Sequence, residues 1–195
     1  MGSFRPFHDL DLLVDAVRDL ADIRLLFVGD GPERSEIEVR CAALGVEATF
    51  TGTVSQSSLP DVLAAMDVAV VVTGSADTFH YSPLKLGEYL ATGIAVVAPD
   101  VPSIRSRVDD GVNAVLVPAA DRRALREALQ ALRDDPEHRA ALAREGGHLA
   151  QRSFTWVEQV RRIDEILGVA SAKANAGRVD GRRADATTIV PPSRD

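Results

Sequence analysis

Short apolar runs alternate along the chain with longer stretches in which apolar residues recur at helical spacing. The runs are rich in β-branched residues and show little alternation between apolar and polar positions, which is typical of parallel strands covered on both faces. They predict strands over residues 24–28, 48–51, 68–73, 94–98 and 114–117. Strands separated by helices indicate βαβ units, so we expect an α/β fold built on a doubly wound parallel sheet with helices on both faces.

Helices are predicted where apolar stripes are bounded by residues that start or stop a helix. One stripe predicts a helix over about residues 9–21, and the others lie between the strands. Serine and aspartate cap helix starts, proline suits a first helical position, and glycine ends a helix. The expected start and stop residues are Pro32, Gly45, Ser82, Pro83, Gly93, Asp121, Pro136 and Trp156.

The two ends of the chain differ from this pattern. Gly2, Ser3 and Phe4 resemble the end of a strand whose start is missing, and a helical stripe follows almost at once. After residue 168 the sequence becomes small and polar with no apolar period, which predicts disorder. We therefore expect one domain over residues 1–168, with a truncated first strand, and a disordered tail over 169–195. A solvated tail is favoured over one whose arginines touch a membrane surface or a partner.

Composition narrows the classes of function. The chain has 195 residues, is 46% hydrophobic and 26% charged, and carries a net charge of −7, which fits one acidic globular domain. Such a charge argues against non-specific nucleic-acid binding. With Cys41 alone, no internal disulfide can form. No apolar run reaches membrane-spanning length and no signal peptide is evident, so we expect a cytoplasmic protein, with the inner membrane face as an alternative.

Ligands of an open parallel sheet bind beyond the carboxyl ends of its strands, so the loops there are the candidate sites. Residues 29–34 (GDGPER) begin like a dinucleotide fingerprint, but Arg34 replaces the third glycine. A tight turn into a helix is the plainer interpretation, and a nucleotide-dependent oxidoreductase is the alternative. Residues 52–55 alone indicate only a strand–helix connection.

The segment 79–93 carries the strongest chemical signal. Backbone amides after Ser82 would offer unpaired N–H groups at a helix start, which suits a diphosphate. Lys85 lies on the first turn of that helix, and Glu88 could accept hydrogen bonds from sugar or ribose hydroxyls. The alternative is that Lys85 and Glu88 belong to a solvated face and that His80 is an ordinary loop residue.

At this segment the sequence resembles the family 4 (group 1) glycosyltransferases, which have the GT-B architecture of two facing Rossmann-like domains. The resemblance rests on TFHYSPLKLGEYLATGIAVVAPDVPSIRSRVDDGVNAVLVPAAD, with RLLFVGDGPER, TFTGTVSQSSLPDVLAAMDVAV and SFTW in family order. It covers about residues 1–167. It implies that the chain is the donor-binding half of a GT-B fold.

The resemblance assigns roles residue by residue. Of the family's two glutamates separated by seven residues, the second binds the donor ribose and falls on Glu88, while the first, which contacts the transferred sugar, falls on His80. The family's diphosphate-binding Arg and Lys fall on Ser3 and His8, and Arg5 between them could replace the lost charge. These replacements are departures from the family pattern.

The resemblance also places Gly52 to Val54 against the base, and Gly29 and Gly31 at a turn near the same cleft. We therefore predict three catalytic residues, His80, Lys85 and Glu88, and no metal ligand. The predicted donor-binding residues are Ser3, Arg5, His8, Gly29, Gly31, Gly52, Thr53, Val54, Tyr81, Ser82, Pro83 and Leu84.

The implied reaction is transfer of a sugar from a UDP- or GDP-linked donor with retention of configuration and without a metal or other cofactor. The acceptor, a glycan or a lipid, would be bound by an N-terminal domain that we expect to be missing, or by a partner subunit. The alternative is a non-catalytic nucleotide-sugar-binding or subunit-interaction module of a split glycosyltransferase.

Overall fold

The computed structural model describes residues 1–75 and 84–180, with side chains up to residue 168. His80, Tyr81, Ser82 and Pro83 therefore lie outside the described residues. The chain divides into two compact units, Met1–Arg152 and Ser153–Asp195.

Strands and helices alternate along the first unit. The strands are β1 Gly2–Ser3, β2 Leu25–Phe27, β3 Gly29–Asp30, β4 Ala48–Phe50, β5 Val68–Val70, β6 Ala95–Pro99 and β7 Val115–Val117. The helices are α1 Leu10–Val17, α2 Arg34–Leu44, α3 Leu59–Ala64, α4 Leu84–Thr92, α5 Pro102–Arg105, α6 Arg122–Asp134, α7 Pro136–Ser153 and α8 Trp156–Asp180. A short 3-10 turn, Pro6–His8, lies between β1 and α1.

All ladders between named strands are parallel. β1 pairs with β3, β2 pairs with β4, and β6 lies between β5 and β7. The five residues of β6 are all buried, as expected of a central strand with helices on both faces. The predicted doubly wound α/β fold is confirmed.

The core joins the strands to helices from different parts of the chain. α1 contacts α2 and α6, whereas α4 contacts β6 and α3. Leu25 and Phe27 from β2 share one apolar cluster with Val97 from β6 and with Leu125 and Leu129 from α6. Continuous burial of such side chains is the main favourable term in the stability of the domain.

Helix ends follow the predicted chemistry in most places. Gly45 ends α2 with a φ of 66°, and Gly93 follows α4 with a φ of 72°, a region that favours glycine. The Asp121 carboxylate caps α6 by accepting from the Ala124 N–H at 2.9 Å. Two boundaries differ from prediction: α1 ends at Val17, where a turn begins, and α2 starts at Arg34 instead of Pro32.

The second unit is dominated by α8, which begins at Trp156 as predicted and runs to Asp180. This helix includes the first part of the segment for which the sequence predicts disorder. Alanine recurs there, and alanine has the highest intrinsic helix propensity. None of the helices in the described part of the chain has the length and apolarity to cross a membrane.

Candidate functional site

The loops that follow the first strands are joined by backbone hydrogen bonds. The Gly29 N–H donates to the Gly52 carbonyl at 3.0 Å, and the Gly2 N–H donates to the Val28 carbonyl at 2.7 Å. The Phe4 N–H continues this pattern by donating to the Asp30 carbonyl at 3.0 Å. The carboxyl ends of β1, β3 and β4 therefore meet at one edge, where open parallel sheets bind ligands.

Two glycines allow this close approach. Gly29 has a φ of 123°, and a Cβ atom on it would lie 2.0 Å from the Gly2 carbonyl oxygen. A Cβ atom on Gly31 would lie 2.4 Å from the Phe4 nitrogen. Because both obstacles are backbone atoms, no side chain fits at either position. Gly29 and Gly31 therefore have a structural role, because they allow the backbone segments at this edge to approach one another.

A cluster of nitrogen atoms lies beside this edge. The Lys85 Nζ, from the first turn of α4, lies 2.9 Å from the Nε2 of His8, which is buried. The amine of Met1 donates to the Tyr89 hydroxyl at 2.7 Å. The site therefore joins α4 to the start of the chain, and His8 and Lys85, both predicted, are in direct contact.

Burial sets the protonation of this cluster. Desolvation lowers the pKa of Lys85 to about 8, and the nearby Glu88 opposes that change. Desolvation, followed by the charge of Lys85, lowers the pKa of His8 to about 4, although a hydrogen bond with the Ser3 backbone acts the other way. The pKa of the Met1 amine falls to about 5, again mainly through desolvation. At neutral pH Lys85 is therefore the charged member, and it donates to a neutral His8.

Glu88 lies near the nitrogen cluster. Its charge acts on Lys85 and on the Met1 amine, which places it beside the cluster, and its side chain is exposed. The cluster in turn adjoins Gly2, since a Cβ atom there would lie 2.9 Å from the Lys85 Nζ, and Gly2 pairs with Gly29. We call this region, where Lys85 and Glu88 approach β1 and its partner β3, the cleft.

The remaining predicted residues that the structure describes are distributed around this cleft. Ser3 ends β1, and Arg5 is exposed and close enough for its charge to act on His8. Thr53 and Val54 follow the Gly52 turn, and Leu84 opens α4 with an exposed side chain. We assign Thr53, Val54 and Leu84 no contact with the nitrogen cluster.

Sequence reasoning missed Tyr89 and Arg34. Tyr89 is buried, and its hydroxyl accepts from the Met1 amine. The Arg34 Nη1 lies 3.5 Å from the point that a Cβ atom on Gly52 would occupy, and its guanidinium lies 5.8 Å from the centroid of the Phe50 ring. The sequence offered one signal for Arg34, since it stands where a dinucleotide fingerprint requires glycine.

Arg34 is already engaged by acidic neighbours. Its Nε donates to the Glu38 carboxylate at 2.7 Å, and its Nη1 lies 3.4 Å from the Asp30 carboxylate. These contacts hold the guanidinium beside the Gly52 turn. Among residues 1–75 and 84–168, no group of three His, Cys, Asp or Glu side chains could hold a metal ion.

These features define a parallel α/β domain in which a lysine–histidine contact lies beside the carboxyl ends of the first strands. A family model for the glycosyl transferases group 1 matches residues 1–135, which is more than half of the chain. The chain therefore belongs to the group 1 glycosyl transferases, and its fold is the Rossmann-like half of a GT-B glycosyltransferase. The resemblance seen in the sequence is confirmed.

Individual relatives agree with this family. A phosphatidyl-myo-inositol mannosyltransferase from Mycobacterium leprae is 30% identical over 168 residues, covering 84% of this chain and 43% of its own length. Sucrose-phosphate synthase from Thermosynechococcus elongatus superposes with a TM-score of 0.76 at 26% identity, over 89% of this chain and 45% of that protein. Anabaena HepE, solved in complex with UDP, gives a TM-score of 0.75 at 22% identity, over 86% and 48%. The chain thus spans about half the length of the relatives it matches.

Proposed function

We propose that this chain binds a nucleoside-diphosphate sugar, UDP- or GDP-linked, and forms the donor half of a retaining glycosyltransferase. The observation that carries the proposal is the contact of Lys85 with His8 beside Glu88, at the carboxyl ends of the strands. The mannosyltransferase among its relatives supports sugar transfer, and the UDP complex of Anabaena HepE supports a nucleotide-linked donor.

Lys85 is the group we assign to the diphosphate. Glycosyl transfer leaves negative charge on the departing diphosphate, and a fixed cation lowers the barrier by stabilising that charge. Lys85 is half-buried, so its attraction for a phosphate is screened less than that of a surface lysine. His8, as the neutral acceptor, orients the ammonium and adds no charge of its own. Arg5 supplies a second cation within electrostatic range of His8.

Glu88 is the group we assign to the ribose. Its carboxylate lies one turn of α4 beyond Lys85, so that a phosphate at Lys85 brings the adjoining pentose towards Glu88. A carboxylate accepts hydrogen bonds from two vicinal hydroxyls, which suits a ribose. The base would then extend towards the Gly52 turn, where Thr53, Val54 and Arg34 lie. His80, by resemblance, would contact the transferred sugar.

The acceptor side of the reaction requires a second surface. Closure of two domains around the donor excludes water and positions the acceptor. We propose that a glycan or lipid acceptor is bound by a facing domain or partner subunit, and that no metal ion takes part. A non-catalytic module of a split glycosyltransferase is the second candidate. It is favoured by the single charged nitrogen in the cluster at neutral pH, where the family has two cations.

Calorimetry with the whole chain tests the proposal through Glu88. UDP should bind more tightly than 2′-deoxy-UDP, because the 2′-hydroxyl donates to the carboxylate. In Glu88→Gln the preference for UDP should shrink, since a hydrogen bond to a charged acceptor, worth roughly 1.5–3 kcal/mol, becomes one to a neutral acceptor, worth roughly 0.5–1.5 kcal/mol. EDTA should leave both affinities unchanged.

Glu137→Gln provides the matched control, because Glu137 is an exposed glutamate on the first turn of α7. It should keep the full preference for UDP. If wild type and Glu88→Gln prefer the ribose form equally, or if neither UDP nor GDP binds at millimolar concentration, the proposal fails. Retained nucleotide binding without sugar transfer, after addition of an acceptor domain, would favour the non-catalytic module.

A further inference from the structure

Arg34 is a basic side chain at the edge where the first strands end. Its Nη1 atom lies 3.5 Å from the point that a Cβ atom on Gly52 would occupy, and the Gly52 carbonyl accepts from the Gly29 N–H. Gly29 in turn pairs with Gly2, and a Cβ atom on Gly2 would lie 2.9 Å from the Lys85 Nζ. Arg34 and Lys85 are therefore connected through three neighbouring backbone segments.

The spacing of these segments gives the length of the ligand that could contact both side chains. Hydrogen-bonded β-segments lie about 4.8 Å apart, so the two steps from Gly52 to Gly2 cover roughly 10 Å. This length is comparable to the separation of the base from the terminal phosphate in an extended nucleoside diphosphate. A diphosphate held at Lys85 can therefore bring its base to the region of Gly52, where Arg34 lies.

The guanidinium of Arg34 is held in place by its neighbours. Its Nε donates to the Glu38 carboxylate at 2.7 Å, and its Nη1 lies 3.4 Å from the Asp30 carboxylate. It also lies over the Phe50 ring, 5.8 Å from the centroid, and that ring stacks on Phe27 with centroids 4.8 Å apart. Because the group is already ordered, little conformational freedom is lost when it binds a ligand.

The free donors of Arg34 favour a neutral ligand that accepts hydrogen bonds. A guanidinium carries five N–H donors and no acceptor, and the two carboxylate contacts engage two of the five. The others have no partner among residues 1–75 and 84–168. Since Asp30 and Glu38 already offset the positive charge, a neutral base suits this group better than a second phosphate does.

The common nucleobases differ in what they present to such donors. Guanine has two adjacent acceptors, O6 and N7, which match the paired N–H groups of an arginine. Uracil has the single acceptor O4 at the corresponding edge. Adenine and cytosine carry an amino group there, which is itself a donor. A guanidinium therefore favours guanine, then uracil, and disfavours adenine and cytosine.

We propose that Arg34 recognises the base of the donor and makes guanine the preferred base, by donating to its O6 and N7 atoms. The inference rests on the proposed function, because Lys85 must hold the diphosphate for the base to reach Arg34. It narrows the donor to a GDP-linked sugar, with a UDP-linked sugar as a weaker ligand.

Calorimetry with the whole chain tests the inference with GDP, 7-deaza-GDP, UDP and ADP. GDP should bind at least about fivefold more tightly than 7-deaza-GDP, which keeps O6 but has a C–H group in place of N7. UDP should bind more weakly than GDP, and ADP should bind most weakly. Because 7-deaza-GDP keeps the ribose and the diphosphate, its comparison with GDP measures recognition of the base alone, in the unaltered protein.

Arg34→Lys keeps the positive charge but loses the planar pair of donors, so it should remove the preference for GDP over 7-deaza-GDP. Arg123→Lys is the matched control. Arg123 makes the same contact with a glutamate four residues later, Nε to carboxylate at 2.8 Å, on the exposed face of α6. This variant should keep the full preference for GDP.

The outcomes separate this inference from the proposed function. Equal affinity of wild type for GDP and 7-deaza-GDP, or an unchanged preference in folded Arg34→Lys, would overturn the role of Arg34 and leave donor binding intact. Binding of ADP as tight as that of GDP would do the same. If no nucleotide binds at millimolar concentration, both the inference and the proposed function fail.

Discussion

The Lys85 Nζ lies 2.9 Å from the Nε2 of His8, although the two residues are far apart in sequence. The pKa of His8 falls to about 4 and that of Lys85 to about 8, mainly because both are withdrawn from water. The pair therefore carries one positive charge between those two pKa values. It is this charge, at the carboxyl ends of the strands, that our account assigns to the donor diphosphate.

Nucleotide binding should weaken as the pH rises through about 8. The protonated form of Lys85 attracts the diphosphate, and the deprotonated form does not, so affinity is retained below the pKa of Lys85 and lost above it. Bound diphosphate will itself raise this pKa, which shifts the midpoint in the complex upwards. Calorimetry with UDP between pH 7.5 and 9.5, where the UDP phosphates are already ionised, measures the effect. Lys85→Arg should bind independently of pH over this range, and an affinity of wild type that is flat to pH 9.5 would contradict the assignment.

His8→Gln should remove an acid-sensitive part of the stability. The pKa of His8 is lowered from 6.5 to about 4, so the unfolded chain binds more protons between those values, and wild type loses stability as the pH falls from 6.5 to 4. The full loss is on the order of 3 kcal/mol. Urea unfolding at pH 4.5, 5.5 and 7 should show the free energy of unfolding of His8→Gln falling less steeply. Parallel curves for the two proteins would show that His8 is not the group responsible.

The glycine turn offers a test of the edge that supports the cleft. Gly31→Ala should lower the free energy of unfolding by at least about 2 kcal/mol, because its Cβ atom would lie 2.4 Å from the Phe4 nitrogen. Gly147→Ala, in the middle of α7, meets nothing closer than 3.8 Å and should raise it by about 0.5–1 kcal/mol. Equal effects of the two changes in urea unfolding would contradict the close approach of Gly31 to Phe4.

Local sequence signals predicted the elements well. Gly45, Gly93 and Asp121 lie at helix ends as expected, because a left-handed φ and a carboxylate cap are properties of single residues and their neighbours. The parallel sheet also followed from local patterns, since continuous apolar runs such as β6 require cover on both faces. The conformation of the segment after residue 168 was harder to predict, because its alanines favour a helix while its low apolarity favours disorder.

The candidate site was only partly predictable. The family resemblance assigned both His8 and Lys85 to binding of the donor. No spacing in the sequence predicts their direct contact or the fall in their pKa values. Both depend on burial created by distant elements. Tyr89 was missed for the same reason, because its partner is the amine of Met1, which is 88 residues away in sequence.

Calorimetric titration of UDP and GDP into wild type, Lys85→Met and Arg144→Met tests the central claim most directly. Arg144 lies on α7 and lines a groove at the beginning of β6, away from the cleft, so its replacement controls for net charge. We predict one-to-one binding of UDP or GDP to wild type and Arg144→Met, and at least tenfold weaker binding to Lys85→Met. Equal affinity of the three proteins, or no binding of either nucleotide to folded wild type, would contradict the account.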